Sequence, residues 1–133
     1  MNTSSASANT TAETAYHSIA VKMTNAERAR RDLSRLAANS CMTRYARAHA
    51  KRMAAANKIY HQDIRKVLYA CNLKRVGENV AMGYQGDKVV PAWMRSTGHR
   101  RNILTSPYRR IALEAVKSSS GRWYVSQLFG TPA

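Results

Sequence analysis

Apolar residues in the first half of the chain recur at the spacing of amphipathic helices. The members of a first stripe lie three or four residues apart or side by side: Tyr16, Ile19, Ala20 and Met23. No proline or glycine interrupts this stripe, and basic residues crowd its far end, as suits a helix C-terminus. The pattern therefore predicts a helix from Glu13 to about Arg31.

A second stripe predicts a second helix, which Asn39 or Ser40 can cap. Its apolar face is regular and comprises Met42, Tyr45, Ala46, His49, Ala50 and Met53. Such a face packs on a core, while the basic residues between its members lie in water. His49 falls inside this face, where a histidine is more often a hydrogen-bonded core residue than a ligand. Residues 62–70 predict a further short helix.

The middle of the chain predicts an extended segment followed by a third helix. The segment, residues 77–83, is rich in small and apolar residues and is bounded by glycines. Asp87 can cap the helix, and Pro91 is tolerated in a first turn. Gly98 is expected to end the helix, so that His99 follows in a turn that presents its imidazole.

Apolar and polar residues alternate with a period of two in the last third of the chain. Two alternating runs, residues 108–116 and 122–129, flank a polar turn at 118–121. This pattern predicts an antiparallel hairpin. Helices followed by such a hairpin indicate an α+β layered domain.

The length of 133 residues suits one domain with its own core. Residues 1–12 consist mostly of serine, threonine, alanine and asparagine, which predicts a disordered N-terminal segment before a single domain over 13–133. That segment lacks the apolar centre of a secretory signal, and we interpret it as the start of a mature chain. No apolar run is long enough to span a membrane.

The net charge is +15, from 22 lysines and arginines against 7 acids. Such a surface attracts polyanions, including anionic lipid, teichoic acid and acidic glycans. Sequence-specific nucleic-acid binding is not predicted, because no reading module or set of aromatic platforms accompanies the charge. The alternative is a basic surface that adapts the protein to an anionic cell surface.

Two cysteines, Cys41 and Cys71, lie 30 residues apart and have no partner at metal-ligand spacing. An even count suits one disulfide in an exported protein. Two reduced and buried thiols are the alternative.

Missing motifs exclude several catalytic classes. The chain has no Gly-x-Ser-x-Gly elbow, phosphate loop or dinucleotide-binding glycines. With seven acids in all, a pair of buried catalytic carboxylates is a poor prediction. A set of His61, Glu78 and His99 remains, each residue at the end of a predicted element. This set suits either a zinc site with an open position or a proton relay without metal. No local spacing shows that the three converge.

Several motifs stand in a fixed order over about residues 19–130. They are Asn25-Ala26-Glu27-Arg28, Tyr60-His61, Gly77-Glu78-Asn79-Val80-Ala81, Trp93-Met94-x-Ser96-x-Gly98-His99-Arg100-x-Asn102-Ile103-Leu104 and Trp123-Tyr124-x-x-Gln127-x-Phe129-Gly130. In this order they resemble the CAP superfamily, the group of cysteine-rich secretory proteins, antigen 5 and pathogenesis-related 1. The resemblance is to its bacterial secreted branch, and it covers nearly the whole chain.

The resemblance implies a three-layer α-β-α sandwich, with a small antiparallel sheet between helical layers and a cleft on the surface. It carries His61, Glu78 and His99 to positions that line this cleft in the family. Because family members sometimes bind metal there, zinc is a candidate cofactor. The other residues expected at the cleft are Ser96, Asn79 and Gln127, with Asn79 in a structural role.

The chain departs from the family pattern in two places. Many relatives have a second cleft glutamate near the place where Ser96 stands, which weakens a four-residue constellation. Relatives usually have Ile-Gly-Val-Gly where this chain has Ile111-Ala112-Leu113-Glu114. Losing both glycines puts side chains where backbone normally approaches closely, so strand packing or the cleft floor is expected to differ.

The leading functional hypothesis is a secreted, monomeric binding module without enzymatic activity, for a lipid, peptide or cell-wall ligand. One alternative is an effector that binds polyanions or membranes through its basic surface. The other is a metal-dependent hydrolase, in which His61 and His99 hold zinc and Glu78 is a ligand or general base. The fold alone does not choose among them, because one fold hosts many functions.

Overall fold

A computed structural model of the chain describes residues 9–133. The elements follow in the order α1 (Thr11–Ala29), β1 (Ala37–Ala38), α2 (Ser40–Ala56), α3 (Ile64–Ala70), β2 (Leu73–Met82), α4 (Val89–Met94), α5 (Thr97–Ile103), β3 (Arg110–Lys117) and β4 (Trp123–Pro132). The strands form one sheet of order β1-β3-β4-β2, so β2 is an edge strand.

Helices cover both faces of the sheet, because strand residues alternate in direction. Ile111 and Leu113 of β3 pack with α1, α4 and α5 in one apolar core. Ala112 packs with α2 and α3 in a second core on the other face. The predicted second and short helices, the hairpin and the three-layer α-β-α sandwich are thereby confirmed.

The sheet is mixed rather than purely antiparallel. Strands β2, β4 and β3 pair antiparallel, as the sequence predicts for the hairpin. The two-residue strand β1 adds a parallel pair, with Ala37 opposite Arg110 and Ala38 opposite Ile111. Two exposed alanines carry no alternation, so the sequence gives no signal for this strand.

Helix α1 begins two residues before the predicted start at Glu13. Thr10 caps it, because its side chain accepts from the Glu13 amide while the Glu13 carboxylate accepts from the Thr10 amide. Residues 9–12 therefore belong to the start of the ordered structure. The rest of the predicted disordered segment, residues 1–8, lies outside the described residues.

The prediction of a single third helix that ends at Gly98 is wrong. The structure has two short helices there, with Ser96 in an extended conformation between them. The N-cap of α4 is Lys88 rather than Asp87, and no side chain bonds this helix start. Gly98 lies in the first turn of α5, and His99 is therefore a helical residue one turn from the break.

Arg28 is a fully buried cation that joins four segments of the chain. Its Nε donates to the carbonyl of Ser34 at 2.8 Å. Nη1 donates to the carbonyls of Ile103 and Thr105, both at 2.9 Å, and Nη2 to that of Tyr108 at 3.2 Å. The guanidinium thus pins α1 to the end of α5 and to the loop before β3.

The predicted disulfide is confirmed, because Cys41 in the first turn of α2 is bonded to Cys71 at the end of α3. His49 is fully buried, as predicted for a core histidine, and its Nε2 lies 2.6 Å from the carbonyl oxygen of Tyr60. The disulfide thus ties the start of α2 to the end of α3, and His49 holds the middle of the segment between these helices.

The residues that replace family glycines in β3 pack without touching the cleft described below. Ala112 is buried against α2. Glu114 is buried near the opposite edge of the sheet, where its Oε1 accepts from Asn9 at 3.0 Å and lies 3.7 Å from Arg47. His17 lies 3.6 Å from its other oxygen. The departure therefore changes strand packing rather than the floor of the cleft.

Candidate functional site

Glu78 is a buried carboxylate on the edge strand β2, and each of its oxygens accepts two hydrogen bonds. Oε1 lies 2.9 Å from His61 Nδ1 and accepts from the Gln62 amide at 3.1 Å. Oε2 accepts from the Gln62 side chain at 2.8 Å and from Ser126 Oγ at 3.2 Å. A carboxylate only accepts, so Nδ1 of His61 carries the hydrogen and Nε2 faces outward. Glu78 therefore orients His61.

His99 is held in a similar way on the other side of β2. Its Nδ1 lies 2.9 Å from Ser96 Oγ, so the Ser96 side chain bonds this ring instead of capping α5. Partial burial of His99, with a smaller contribution from the positive charge of His61, lowers its pKa below the ordinary value. The charge of His61 therefore acts on the His99 ring.

Two recesses flank β2 between these histidines, and together we call them the cleft. The Trp93 recess has a volume of about 310 Å³ and is lined by Ile59, Val80, Ala81, Met82, Tyr84, Ala92, Trp93, Ser96 and His99. The Gln62 recess has a volume of about 320 Å³ and is lined by His61, Gln62, Ile64, Val76, Gly77, Glu78, Asn102 and Tyr108. The residues around the first recess are mostly apolar and those around the second are mostly polar, although both recesses expose polar and apolar surface in similar proportion.

A buried amide network lies behind the cleft and fixes its walls. The fully buried Asn79 donates to the carbonyl of His99 at 3.2 Å and to Gln127 Oε1 at 3.0 Å. Its Oδ1 accepts from Asn102 at 2.9 Å, and Asn102 also donates to the Glu78 carbonyl at 3.0 Å. Ser96 lies in the wall of the Trp93 recess, whereas Asn79 and Gln127 lie buried behind the cleft.

Side chains from the helical layer also cover the outer edge of β2. Trp93 Nε1 donates to the carbonyl of Val80 at 3.2 Å, next to the bond from Asn102 to Glu78. Position 77 requires glycine, because a Cβ there would collide with the hydroxyl of Tyr108. In the Gly-Glu-Asn motif, the glycine therefore allows close packing, the glutamate supplies the carboxylate and the asparagine anchors the segment through its amide.

The residues of the cleft do not fit a three-ligand metal site. Within residues 9–133, no three histidine, cysteine, aspartate or glutamate side chains are arranged to hold a metal ion. Both oxygens of Glu78 are engaged as acceptors, which leaves only the Nε2 atoms of His61 and His99 as available protein ligands. Catalytic zinc sites use three.

The partners of Glu78 are the functional residues that sequence reasoning missed. Gln62 makes two of its four hydrogen bonds, and Ser126 makes another from β4. The position of Gln62 directly after His61 is a weak signal for it. Ser126 carries none, because its role depends on the register that sets Glu78 opposite Leu128 and Val80 opposite Ser126.

A larger recess, of about 800 Å³, lies near the other edge of the sheet beside His17 and Glu114. Its principal polar groups already bond each other. Asn9 donates to Glu114, and His17 Nδ1 lies 2.8 Å from the carbonyl oxygen of Leu113. We place the candidate site at β2, where two imidazoles expose a free nitrogen.

Replacing His61 with glutamine is expected to raise the pKa of His99 toward its ordinary value. The change removes the positive charge that lowers this pKa, while partial burial of the His99 ring continues to lower it. Titration of the histidine ring signals by NMR measures the shift. The control is His17→Gln, which alters a histidine near the opposite edge of the sheet. An unchanged His99 pKa in His61→Gln would show that the imidazoles do not sense each other.

Comparison with known proteins links the chain to one family. The profile of the cysteine-rich secretory protein family, CAP, matches residues 21–129. The uncharacterized protein YkwD of Bacillus subtilis strain 168 is 36% identical over 115 residues, which cover 80% of this chain and 44% of that protein. The chain thus spans less than half the length of this curated relative.

Solved structures share the fold. An outer surface protein from Borrelia burgdorferi matches with a TM-score of 0.80 and 19% identity, over 87% of this chain and 92% of that chain. An extracellular protein containing an SCP domain from Bacillus anthracis matches with a TM-score of 0.74 and 23% identity, over 90% of this chain and 41% of that chain. At these identities the likeness concerns the fold alone.

Proposed function

The chain belongs to the cysteine-rich secretory protein (CAP) family, and on this premise we propose that it is a binding module that works outside the cell. Its ligand site is the cleft along β2. Two properties favour an extracellular setting. The Cys41–Cys71 disulfide suits an oxidising compartment. A similar Bacillus anthracis structure is described as an extracellular protein. No helix in residues 9–133 is long and apolar enough to cross a membrane.

The observation that carries the proposal is a cleft in which apolar walls and polar groups accompany two oriented imidazoles. Trp93, Ala92 and Val80 offer apolar contacts on one side. Gln62 and Asn102 offer polar groups on the other. Binding sites of this kind combine apolar walls with a few placed polar groups. The ligand is therefore an amphipathic molecule with an anionic or polar end, such as a lipid or the end of a peptide.

The engagement of Glu78 argues against a hydrolase in which this carboxylate is the general base. A general base needs a free oxygen within hydrogen-bond reach of the water or group that it deprotonates. Both oxygens of Glu78 are engaged by His61, Gln62 and Ser126. Ser96, at the place of the second family glutamate, supplies no carboxylate. The cleft thus offers two oriented imidazoles to a ligand but no free carboxylate.

Decanoate, an apolar chain with a single carboxylate, is a suitable probe for this site. Titration followed by NMR is expected to shift the amide and ring signals of Val80, Trp93 and His99, with saturable binding. In mildly acidic buffer the double variant His61→Ala/His99→Ala should weaken binding about tenfold or more, since it removes two imidazoles whose Nε2 atoms donate to an anion when the rings are protonated. His17→Ala is the matched control and should bind as the parent does. Shifts confined to other parts of the surface would refute the cleft as the site.

A further inference from the structure

Exposed apolar side chains are concentrated at the mouth of the Trp93 recess. Within residues 9–133, the large apolar residues most open to solvent are Ile19, Ile59, Tyr60, Tyr69, Met82 and Tyr84. Ile59, Met82 and Tyr84 line the Trp93 recess, and Tyr60 follows Ile59 directly. We call Ile59, Tyr60, Met82 and Tyr84 the mouth patch. Its members are each 37–42% exposed, so they form one apolar surface beside the cleft.

The backbone that carries the mouth patch is fixed, although its side chains face solvent. The Tyr60 carbonyl oxygen lies 2.6 Å from His49 Nε2, and the Tyr60 ring packs edge-on against the imidazole of that buried histidine. The carbonyl of Tyr84 accepts from the hydroxyl of Tyr16 at 2.9 Å. Exposure of these side chains is therefore built into the fold, since the segments that bear them are bonded to core residues.

Cations accompany the mouth patch. Lys58 is exposed, and its Nζ lies 5.8 Å from the centre of the Tyr60 ring. Arg52 is exposed and lies 3.2 Å from His49 Nδ1, behind the same ring. Of the nearby acids, Glu78 is buried, whereas Asp63 and Asp87 are exposed. Charges of both signs therefore lie beside the patch, and the attraction to an anionic surface comes from the net positive charge of the whole chain.

We propose that the mouth patch docks the protein on an anionic lipid surface, with the Trp93 recess facing the lipid. Aliphatic and aromatic side chains gain by entering the boundary between head groups and acyl chains, and lysine and arginine are attracted to anionic head groups. The net charge of +15 complements such a surface. A water-soluble polyanion would match the charge alone and would leave Ile59 and Met82 without apolar partners. The proposal does not depend on a ligand in the cleft.

The test compares two pairs of substitutions of the same residue types in the full chain. Ile59→Ser/Tyr84→Ser removes half of the mouth patch. Ile19→Ser/Tyr69→Ser removes an isoleucine and a tyrosine that are at least as exposed but do not line the Trp93 recess. Neither pair changes the charge. Flotation with phosphatidylcholine vesicles, with and without phosphatidylglycerol, measures binding, and circular dichroism establishes that each variant is folded.

The parent and the control pair are expected to bind vesicles that contain phosphatidylglycerol, and the patch pair to bind about tenfold more weakly or worse. Equal vesicle binding by the two pairs of variants would overturn the proposal. The proposal would also be overturned if the parent bound a soluble polyphosphate as strongly as it binds vesicles. The His61→Ala/His99→Ala variant separates the two proposals. This variant should still float with vesicles. If it loses the decanoate shifts but keeps flotation, the result concerns the cleft alone.

Discussion

Replacing Arg28 with methionine should lower the free energy of unfolding by about 4 kcal/mol or more. Methionine keeps much of the buried volume but removes the guanidinium donor from four carbonyl oxygens, and those of Ser34 and Ile103 lose their only side-chain donor within residues 9–133. The carbonyls of Thr105 and Tyr108 keep a second donor. A buried polar group that loses its partner costs about 1–3 kcal/mol, so the sum is large even if water reaches some of the carbonyls. Urea denaturation followed by circular dichroism measures the change. The free energy of unfolding of a typical domain is about 5–15 kcal/mol, so the expected loss is a large part of it.

Arg30→Met is the matched control for this prediction. Arg30 is the C-cap residue of the same helix. It is exposed and forms an ion pair with Glu27 at 2.7 Å. Exposed ion pairs contribute about 0–1 kcal/mol, so the control should change stability little. If Arg28→Met unfolded at the same urea concentration as Arg30→Met, the four carbonyls would not depend on the guanidinium, and its central role in the fold would be refuted.

Removing the disulfide should have the second-largest effect on stability. The double variant Cys41→Ser/Cys71→Ser releases a loop of 30 residues. In the chain-entropy model this costs about 3–4 kcal/mol, because the unfolded chain regains freedom. Thermal unfolding of the variant and of the oxidised parent measures the difference.

The parent treated with a reducing agent serves as the reference for this variant. Reduced parent and double variant should melt together and below the oxidised protein, because both lack the same bond. The bond ties α3 to α2, and the segment with His61 and Gln62 precedes α3. We therefore also expect the His61 ring signals to broaden on reduction. Coincident melting of the oxidised and reduced parent would contradict a stabilising disulfide.

Local patterns were sufficient where an element buries one face. The stripe from Met42 to Met53 predicts α2 and the core position of His49, and the alternation on either side of residues 118–121 predicts the hairpin. The ordered motifs predict membership of the CAP family, which the family profile confirms. In these cases periodicity along the chain and burial in space carry the same information.

Sequence reasoning failed where tertiary contacts decide the outcome. Glu78 is identified as a site residue by its motif, yet its role depends on Gln62 and Ser126, which reach it from other segments. The helix break at Ser96 has no glycine or proline of its own, and its serine side chain bonds His99 rather than the helix. Strand β1 exists only through its pairing with β3. None of these contacts leaves a periodic trace.

The covered edge of β2 has a consequence for the behaviour of the protein in concentrated solution. An open strand edge recruits strands of other chains, which is a common route to fibrils. The carbonyls of Val80 and Glu78, which would serve as such a template, already accept from Trp93 and Asn102. The side chains of Trp93 and Asn102, which line the cleft, therefore also hinder pairing of this edge with a strand of another copy. A protein can keep a ligand groove along a sheet edge in this way without offering that edge to its own copies.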